Sequence, residues 1–372
     1  MYIKDNKIAY VVANLKQIGP TNQTLNIIMH SGMKDKCIVI TLFKETEDTL
    51  IEEYIKNNIN VICLNLNRKT FFLSGIKKLN IYLKRNNITV VHSWGTIADM
   101  VSYYSCKKLK LKHIITLRNF PVEDLTTRMN KFLGLIIAKL NLYILGKSKY
   151  VVACSNSIKK KMQDTYNYNH IMSIQNGVDL DKYSSLNKQQ VRNELSIASD
   201  ETIYISTGSF IPRKRIEETI KAFINLKDLK KKQLWFIGEG ILFEKIKEKY
   251  SDYPEIKFLG KQKNVTYFLS ASDVFVSSSE SEGLPNAVLE AIACDTPVFL
   301  SDIPQHKEIL KELDKCGEEY TLGNINELKQ LFENITDKEI EEMSINCSSI
   351  KKSNLTMEMM GKKYGEYYES IL

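Results

Sequence analysis

At 372 residues the chain is long for one hydrophobic core and of a size for two domains. Its 43% hydrophobic and 26% charged residues exclude a disordered chain, and no apolar run reaches membrane-span length, the longest, 132–146, being broken by Lys139 and Asn141. The net charge of +8 is unevenly placed: residues 1–180 hold 26 Lys and Arg against 12 Asp and Glu, and the remainder is acidic, so the first half is expected to face something anionic.

MYIKDNK leads straight into the first strand pattern without the layout of a signal peptide, and a cytoplasmic location is expected. Apolar strand-like runs at 8–13, 37–42, 61–64, 89–92, 113–117, 150–153 and 171–174 then alternate with helix patterns. Continuous apolar strands separated by helices predict a parallel sheet covered on both faces, a Rossmann-like α/β domain. The loop at 17–22 after the first strand carries one glycine, Gly19, followed by Pro20. The absence of G-x-G-x-x-G there weighs against a dinucleotide-dependent dehydrogenase, and proline offers one amide donor fewer to an anion. Segments 68–85 and 126–149, the second read as one helix, mix Lys and Arg with Phe, Leu, Ile and Tyr. Such a mixture suits the surface of an anionic membrane and equally a solvated helix face. The seven cysteines are scattered and lack CxxC spacing, which points to reduced thiols and supports neither a zinc site nor a disulfide framework.

Near Asn176-Gly177-Val178-Asp179 the alternation breaks, and 182–200 is polar with a short helix signal. The boundary is set there, giving a first domain at 1–179, a second at 180–354 and a Met- and Tyr-rich helix at 355–372. A second strand series follows at 203–207, 234–237, 256–259, 274–276 and 298–300. After its first member, TGSFIPRK at 207–214 opens a helix. Gly208 permits close backbone approach, while Arg213 and Lys214 supply a guanidinium fork and an ammonium for a diphosphate, or simply a charged pair at a helix start. The stretch at 277–308 reads as strand, acidic Gly-Leu-Pro-Asn turn, helix, strand. It sets a helix N-terminus at the carboxyl edge of a parallel sheet, where a phosphate fits. Glu282 and Glu290 frame the turn. Eight helical residues advance roughly 12 Å, too far for a proton-sharing pair, so the two are expected to hold different parts of one long ligand. The plainer reading makes Glu282 a helix-dipole partner and Glu290 a solvated side chain.

Glu282-x7-Glu290 followed by A-x-A-x-x-x-P-V at 291–298 resembles the donor-binding signature of the retaining GT-B glycosyltransferases, in particular glycosyltransferase family 4, group 1. The resemblance implies an α/β chain of two Rossmann-like domains with parallel sheets facing across a cleft, an acceptor-binding first domain, a nucleotide-sugar-binding second domain, and a C-terminal helix crossing back to the first. It implies a hexosyltransferase that moves a sugar from a nucleoside-diphosphate sugar, a UDP-sugar, with retention, without a metal or other cofactor and without a protein nucleophile. By the same resemblance Glu282 contacts the transferred sugar, Glu290 the ribose hydroxyls, and Arg213 and Lys214 neutralise the leaving diphosphate. Gly19, Gly208, Gly283, Leu284 and Asn286 line the donor, and Gln262 lies where the base is held through main-chain groups. Relatives carry histidine after the fifth strand, where this chain has Arg118 and Asn119, which are expected to take over sugar or acceptor contacts. His92 either binds a sugar hydroxyl or is a hydrogen-bonded core-edge residue. The implied acceptor is a lipid-linked or polysaccharide intermediate, as in capsule or lipopolysaccharide assembly, reached by peripheral contact with the inner face of an anionic cytoplasmic membrane; nucleic acid is not an expected partner. Two rivals stand beside this reading: a sugar-nucleotide epimerase or hydrolase on the same fold, and a non-catalytic sugar-nucleotide-binding subunit.

Overall fold

The computed structural model describes residues 7–184 and 186–372, apart from the Arg128 side chain, so most of MYIKDNK lies outside the described residues. The chain divides into two compact units, Met1–Gly177 with Met357–Leu372, and Val178–Thr356.

In the first unit β1 (Lys7–Val12), β2 (Cys37–Thr41), β3 (Asn60–Cys63), β4 (Ile88–Trp94), β5 (Lys112–Leu117), β6 (Tyr150–Ala153) and β7 (Met172–Ser173) form a parallel sheet in the order β3-β2-β1-β4-β5-β6-β7. Successive side chains of a strand leave opposite faces, and both faces are apolar. Ile8, Val39, Val90 and Ile114 pack in one core, and Ala9, Val11, Ile40 and Val91 in another. Full burial of such a side chain contributes about 1.5–3 kcal/mol. Strand order reverses between β1 and β4, so the crevice outside their carboxyl ends is the place a ligand is expected.

The C-terminal helix Met357–Ile371 belongs to this unit and buries Met357, Met360, Tyr364 and Tyr368 in the first of these cores. Gly361 and Gly365 set its approach to the helix Gly19–His30: a Cβ at Gly365 would stand 2.3 Å from the Ser31 carbonyl oxygen. Its tyrosines also close a buried polar network. The Tyr368 hydroxyl lies 2.7 Å from His92 Nδ1 and bonds Tyr10, His92 Nε2 lies 2.6 Å from Thr116 Oγ1, and Thr116 meets the Tyr364 hydroxyl at 3.1 Å.

The single helix expected at 126–149 is two, Pro121–Arg128 and Lys131–Lys147. The break is made by Asn130, whose side chain accepts from Phe132 N at 3.0 Å and caps the second helix. Among the described residues no helix is long and apolar enough to cross a membrane.

The second unit repeats the plan with β8 (Thr202–Thr207), β9 (Lys232–Ile237), β10 (Ile256–Gly260), β11 (Val274–Ser277), β12 (Val298–Ser301) and β13 (Gly317–Tyr320), all parallel, in the order β10-β9-β8-β11-β12-β13. Here the order reverses between β8 and β11. The loops that follow those two strands are the ones that carry the charged motifs.

Candidate active site

The loop after β8 passes through Gly208, whose φ of +142° is open to glycine and rarely to other residues, into the single turn Pro212–Lys214 and then the helix Ile216–Ile224. Arg213 and Lys214 therefore sit on the turn ahead of the helix. The loop after β11 runs alongside, tied by the Glu280 amide to the Arg213 carbonyl at 2.9 Å. It presents Glu282 between the two cations: Lys214 Nζ lies 2.5 Å from Glu282 Oε1 and Arg213 Nη1 2.9 Å from Oε2. The three side chains retain only 18%, 17% and 7% of their exposure respectively. Burial works against ionisation of Glu282, but Lys214 and then Arg213 outweigh it and hold the carboxyl well below the usual carboxylate range. Glu282 is thus a fixed anion and has no proton to give at neutral pH.

Glu290 lives in a different environment. It lies on the helix Asn286–Ala293, whereas Glu282 stands in the loop before it, so the two are not on one helix and the expected helical advance between them does not apply. Burial raises the Glu290 carboxyl above its ordinary value, opposed by Lys182, a hydrogen bond with Tyr183 and Lys214. Lys214 therefore acts on both carboxylates while only Glu282 forms an ion pair with it. Two glutamates whose environments push them in opposite directions are suited to separate tasks on one ligand. Next to Lys214 a small pocket is lined by Gly208, Lys214 and the hydroxyls of Thr207, Ser209, Ser277 and Ser279. The first turn of the Asn286 helix carries no acidic residue and no side-chain cap, so its N-terminal dipole adds to the positive potential.

The second unit thus brings together Gly208, Arg213, Lys214 and Glu282, with Glu290 within reach of the Lys214 charge. Gly283 is half-buried in the same loop, Leu284 buries its side chain in the core, and Asn286 begins the helix. Gln262 folds back on its own strand end, donating to Leu259 O at 2.6 Å. In the first unit Gly19 opens the helix Gly19–His30. His92 is buried with both ring nitrogens taken by Tyr368 and Thr116, which makes it the core-edge residue of the two alternatives and removes it as a sugar contact. Asn119 Oδ1 accepts from Phe120 N at 2.8 Å and so is engaged in a local turn. Arg118 follows β5 and donates from Nη1 to Asn176 Oδ1 at 2.9 Å. Among the described residues no group of three His, Cys, Asp or Glu is placed to hold a metal.

Sequence reasoning missed three residues of this site. Lys182 and Tyr183, which act on Glu290, lie in the polar stretch read only as marking the domain boundary. His306 is fully buried, with Nδ1 donating to Ser301 O at 2.8 Å while the Ser301 hydroxyl donates to Ser279 O at 2.6 Å. It braces the loop that delivers Glu282, and burial pushes its imidazole down to about 4, leaving it neutral. The only available signal was its place two residues into the helix Pro304–Glu312.

Comparison with known proteins agrees with this arrangement. Residues 32–182 match the family model for Glycosyltransferase Family 4, and residues 187–352 that for Glycosyl transferases group 1. The O-antigen biosynthesis glycosyltransferase WclY of Escherichia coli is 27% identical over 98% of this chain and 98% of its own. The UDP-Gal:alpha-D-GlcNAc-diphosphoundecaprenol alpha-1,3-galactosyltransferase of the same organism is 24% identical over 80% of each chain. Among solved structures, HepE of Anabaena in complex with UDP superposes with a TM-score of 0.80 over 98% of this chain and 100% of that one, at 16% identity. With its two parallel-sheet units and both motif loops in place, the chain belongs to the group 1 glycosyltransferases of family 4 and has the GT-B fold.

Proposed function

We propose that this enzyme transfers a sugar, with retention, from a UDP-sugar held by its second unit to a lipid-linked or polysaccharide acceptor in the assembly of a cell-surface glycan. The observation that carries the reading is the Arg213–Glu282–Lys214 cluster at the carboxyl edge of the second sheet. Two cations beside one anion leave a net positive charge for a diphosphate, and cations already fixed in place stabilise a departing phosphate without reorganisation. Glu282, permanently ionised and clamped from both sides, is positioned to accept hydrogen bonds from sugar hydroxyls, and Glu290 from ribose. No metal is assigned to this step, the leaving group being neutralised by Arg213 and Lys214. The relatives support the donor and acceptor classes: one is named for UDP-Gal and a diphosphoundecaprenol-linked acceptor, another for O-antigen biosynthesis, and the Anabaena structure holds UDP.

Acceptor access at the inner face of a membrane is supported by the helix Lys131–Lys147, which exposes Phe132, Leu133, Ile136 and Tyr143 together with Lys131, Lys139 and Lys147. Apolar side chains interleaved with lysines favour a peripheral position on anionic lipid. The test is turnover of radiolabelled UDP-, GDP-, ADP- and CMP-sugars with undecaprenyl-diphosphate-linked saccharides in detergent, with the anomeric configuration of the product read by NMR. Label transfer from a UDP-sugar with the donor configuration kept is the expected result. Inversion, or release of free sugar with no product formed on any acceptor, contradicts it.

A further inference from the structure

One cation of the first unit is only partly satisfied within the protein. Arg118 is half-buried at the end of β5, beside the strand-order reversal where a ligand is expected. Among the described residues its guanidinium makes one hydrogen bond, from Nη1 to Asn176 Oδ1, and its Nε is buried without a partner. Two other arginines of the described residues are treated differently: Arg192, which is fully buried, is paired with Asp273 at 3.1 Å, and the half-buried Arg213 with Glu282 at 2.9 Å. Among the described residues no carboxylate forms an ion pair with Arg118. The groups that feel its charge are Tyr54, Tyr364, Tyr368 and His92, all neutral at pH 7. Glu45, which also acts on Tyr54, accepts at Oε2 from the Leu15 amide at 2.9 Å and the Thr49 hydroxyl at 2.8 Å, and its Oε1 is buried without a partner. Burying an unpaired charge is costly, and a fold retains one where a ligand supplies the partner.

Through Asn176 and the glycine after it, Arg118 is linked to the helix Gly19–His30. The Asn176 it touches is followed by Gly177, whose carbonyl accepts from Gln23 of the Gly19 helix at 2.8 Å. Tyr54 donates to Thr21 O at 2.9 Å, and Trp94 Nε1 to Thr24 Oγ1 at 2.8 Å, fixing that helix over its first turns. The helix begins with Gly19-Pro20, with no side-chain cap and no acidic residue in its first turn. A guanidinium with N–H groups left unpartnered can still donate to anionic oxygens.

We propose that Arg118 binds an anionic group of a substrate, the paired oxygens of a phosphate or carboxylate, and that this contact selects charged over neutral substrates. The inference rests on the transferase reading above, and its source, donor or acceptor, is separable by experiment. The chain has seven arginines, so the Nε–H signals of the full-length protein form a sparse NMR spectrum in which Arg118 is assigned by its loss in Arg118→Gln. Titration with inorganic phosphate and with malonate at constant ionic strength, with and without saturating UDP, is expected to move the Arg118 signal along a saturable curve. Affinity is expected to fall roughly 10- to 100-fold in Arg118→Gln, the size of one or two charge-assisted hydrogen bonds, and to be partly restored in Arg118→Lys. Weaker binding of UDP itself in Arg118→Gln assigns the donor diphosphate as the source. Weaker binding of UDP-glucuronate but not UDP-glucose assigns a donor carboxylate, and unchanged binding of all three, with the phosphate or malonate response abolished, assigns the acceptor. A linear drift of the Arg118 signal matching that of exposed Arg68 overturns the proposal, whatever the variants do. Failure of UDP to bind the wild type overturns the transferase reading instead, and the wild-type Arg118 signal still decides this one.

Discussion

Glu282→Gln separates the two roles that the cluster combines. The carboxylate accepts one charge-assisted hydrogen bond from Lys214 and one from Arg213, each contributing about 1.5–3 kcal/mol in a buried setting. Water recovers part of this, because the two cationic side chains keep 18% and 17% of their exposure, so the expected loss is about 2–4 kcal/mol. For a unit of this size that lowers the melting temperature by roughly 5–15 °C. The effect has a pH signature. Because the Glu282 carboxyl is held below its ordinary value of 4.5 in the fold, its stabilisation is complete above that value and is lost as pH falls from there toward the depressed one. The gap between wild type and variant must therefore be flat from pH 6 to 8 and shrink on acidification below 4.5. UDP supplies a replacement anion for the freed cations, so the thermal shift with UDP should be at least as large in Glu282→Gln as in wild type, while sugar transfer is lost. Calorimetric melts over the pH series, with and without UDP, read all three quantities. A melting temperature within 1 °C of wild type at pH 7, or a UDP shift abolished in the variant, refutes the ion-pair argument.

Glu290→Gln is expected to do the reverse. A carboxyl raised by burial contributes most to stability when protonated and loses that contribution as pH rises through its folded value. The glutamine variant should therefore melt higher than wild type at pH 7–8 and bind UDP about tenfold more weakly by calorimetry, the scale of one lost hydrogen bond to a charged group. Tyr368→Phe leaves Tyr10 and His92 Nδ1 without their partner inside the first unit. It should destabilise by about 1–3 kcal/mol in a urea melt while leaving the affinity for UDP unchanged. Phe132→Asp with Ile136→Asp removes exposed apolar groups from the Lys131 helix. Retention on anionic liposomes at low salt should drop severalfold with no change in melting temperature, and equal retention counts against membrane contact through that helix.

Strands were legible because a parallel sheet covered on both faces writes each one as an apolar run. The exception explains itself: β13 (Gly317–Tyr320) reads Gly-Glu-Glu-Tyr, pairs only with β12 and buries only Tyr320, so it carries no apolar run to find. The break between the helices Pro121–Arg128 and Lys131–Lys147 was missed because neither Pro nor Gly marks it, and an asparagine cap is a weaker signal. The charged motifs were legible as strand-end loops. Their pairing was not, since Lys214 and Glu282 are 68 positions apart and meet only because β8 and β11 are neighbours in the sheet. His92 shows the converse: its local context fitted a ligand contact, and only the return of the C-terminal helix, 276 residues on, makes it a core residue.

Isothermal titration of UDP into wild type and Lys214→Ala tests the central claim most directly. The account predicts one UDP per chain, bound at least tenfold more weakly once the Lys214 ammonium is removed. No binding by wild type, or equal affinity in the variant, contradicts a nucleoside-diphosphate site built on the Arg213–Glu282–Lys214 cluster.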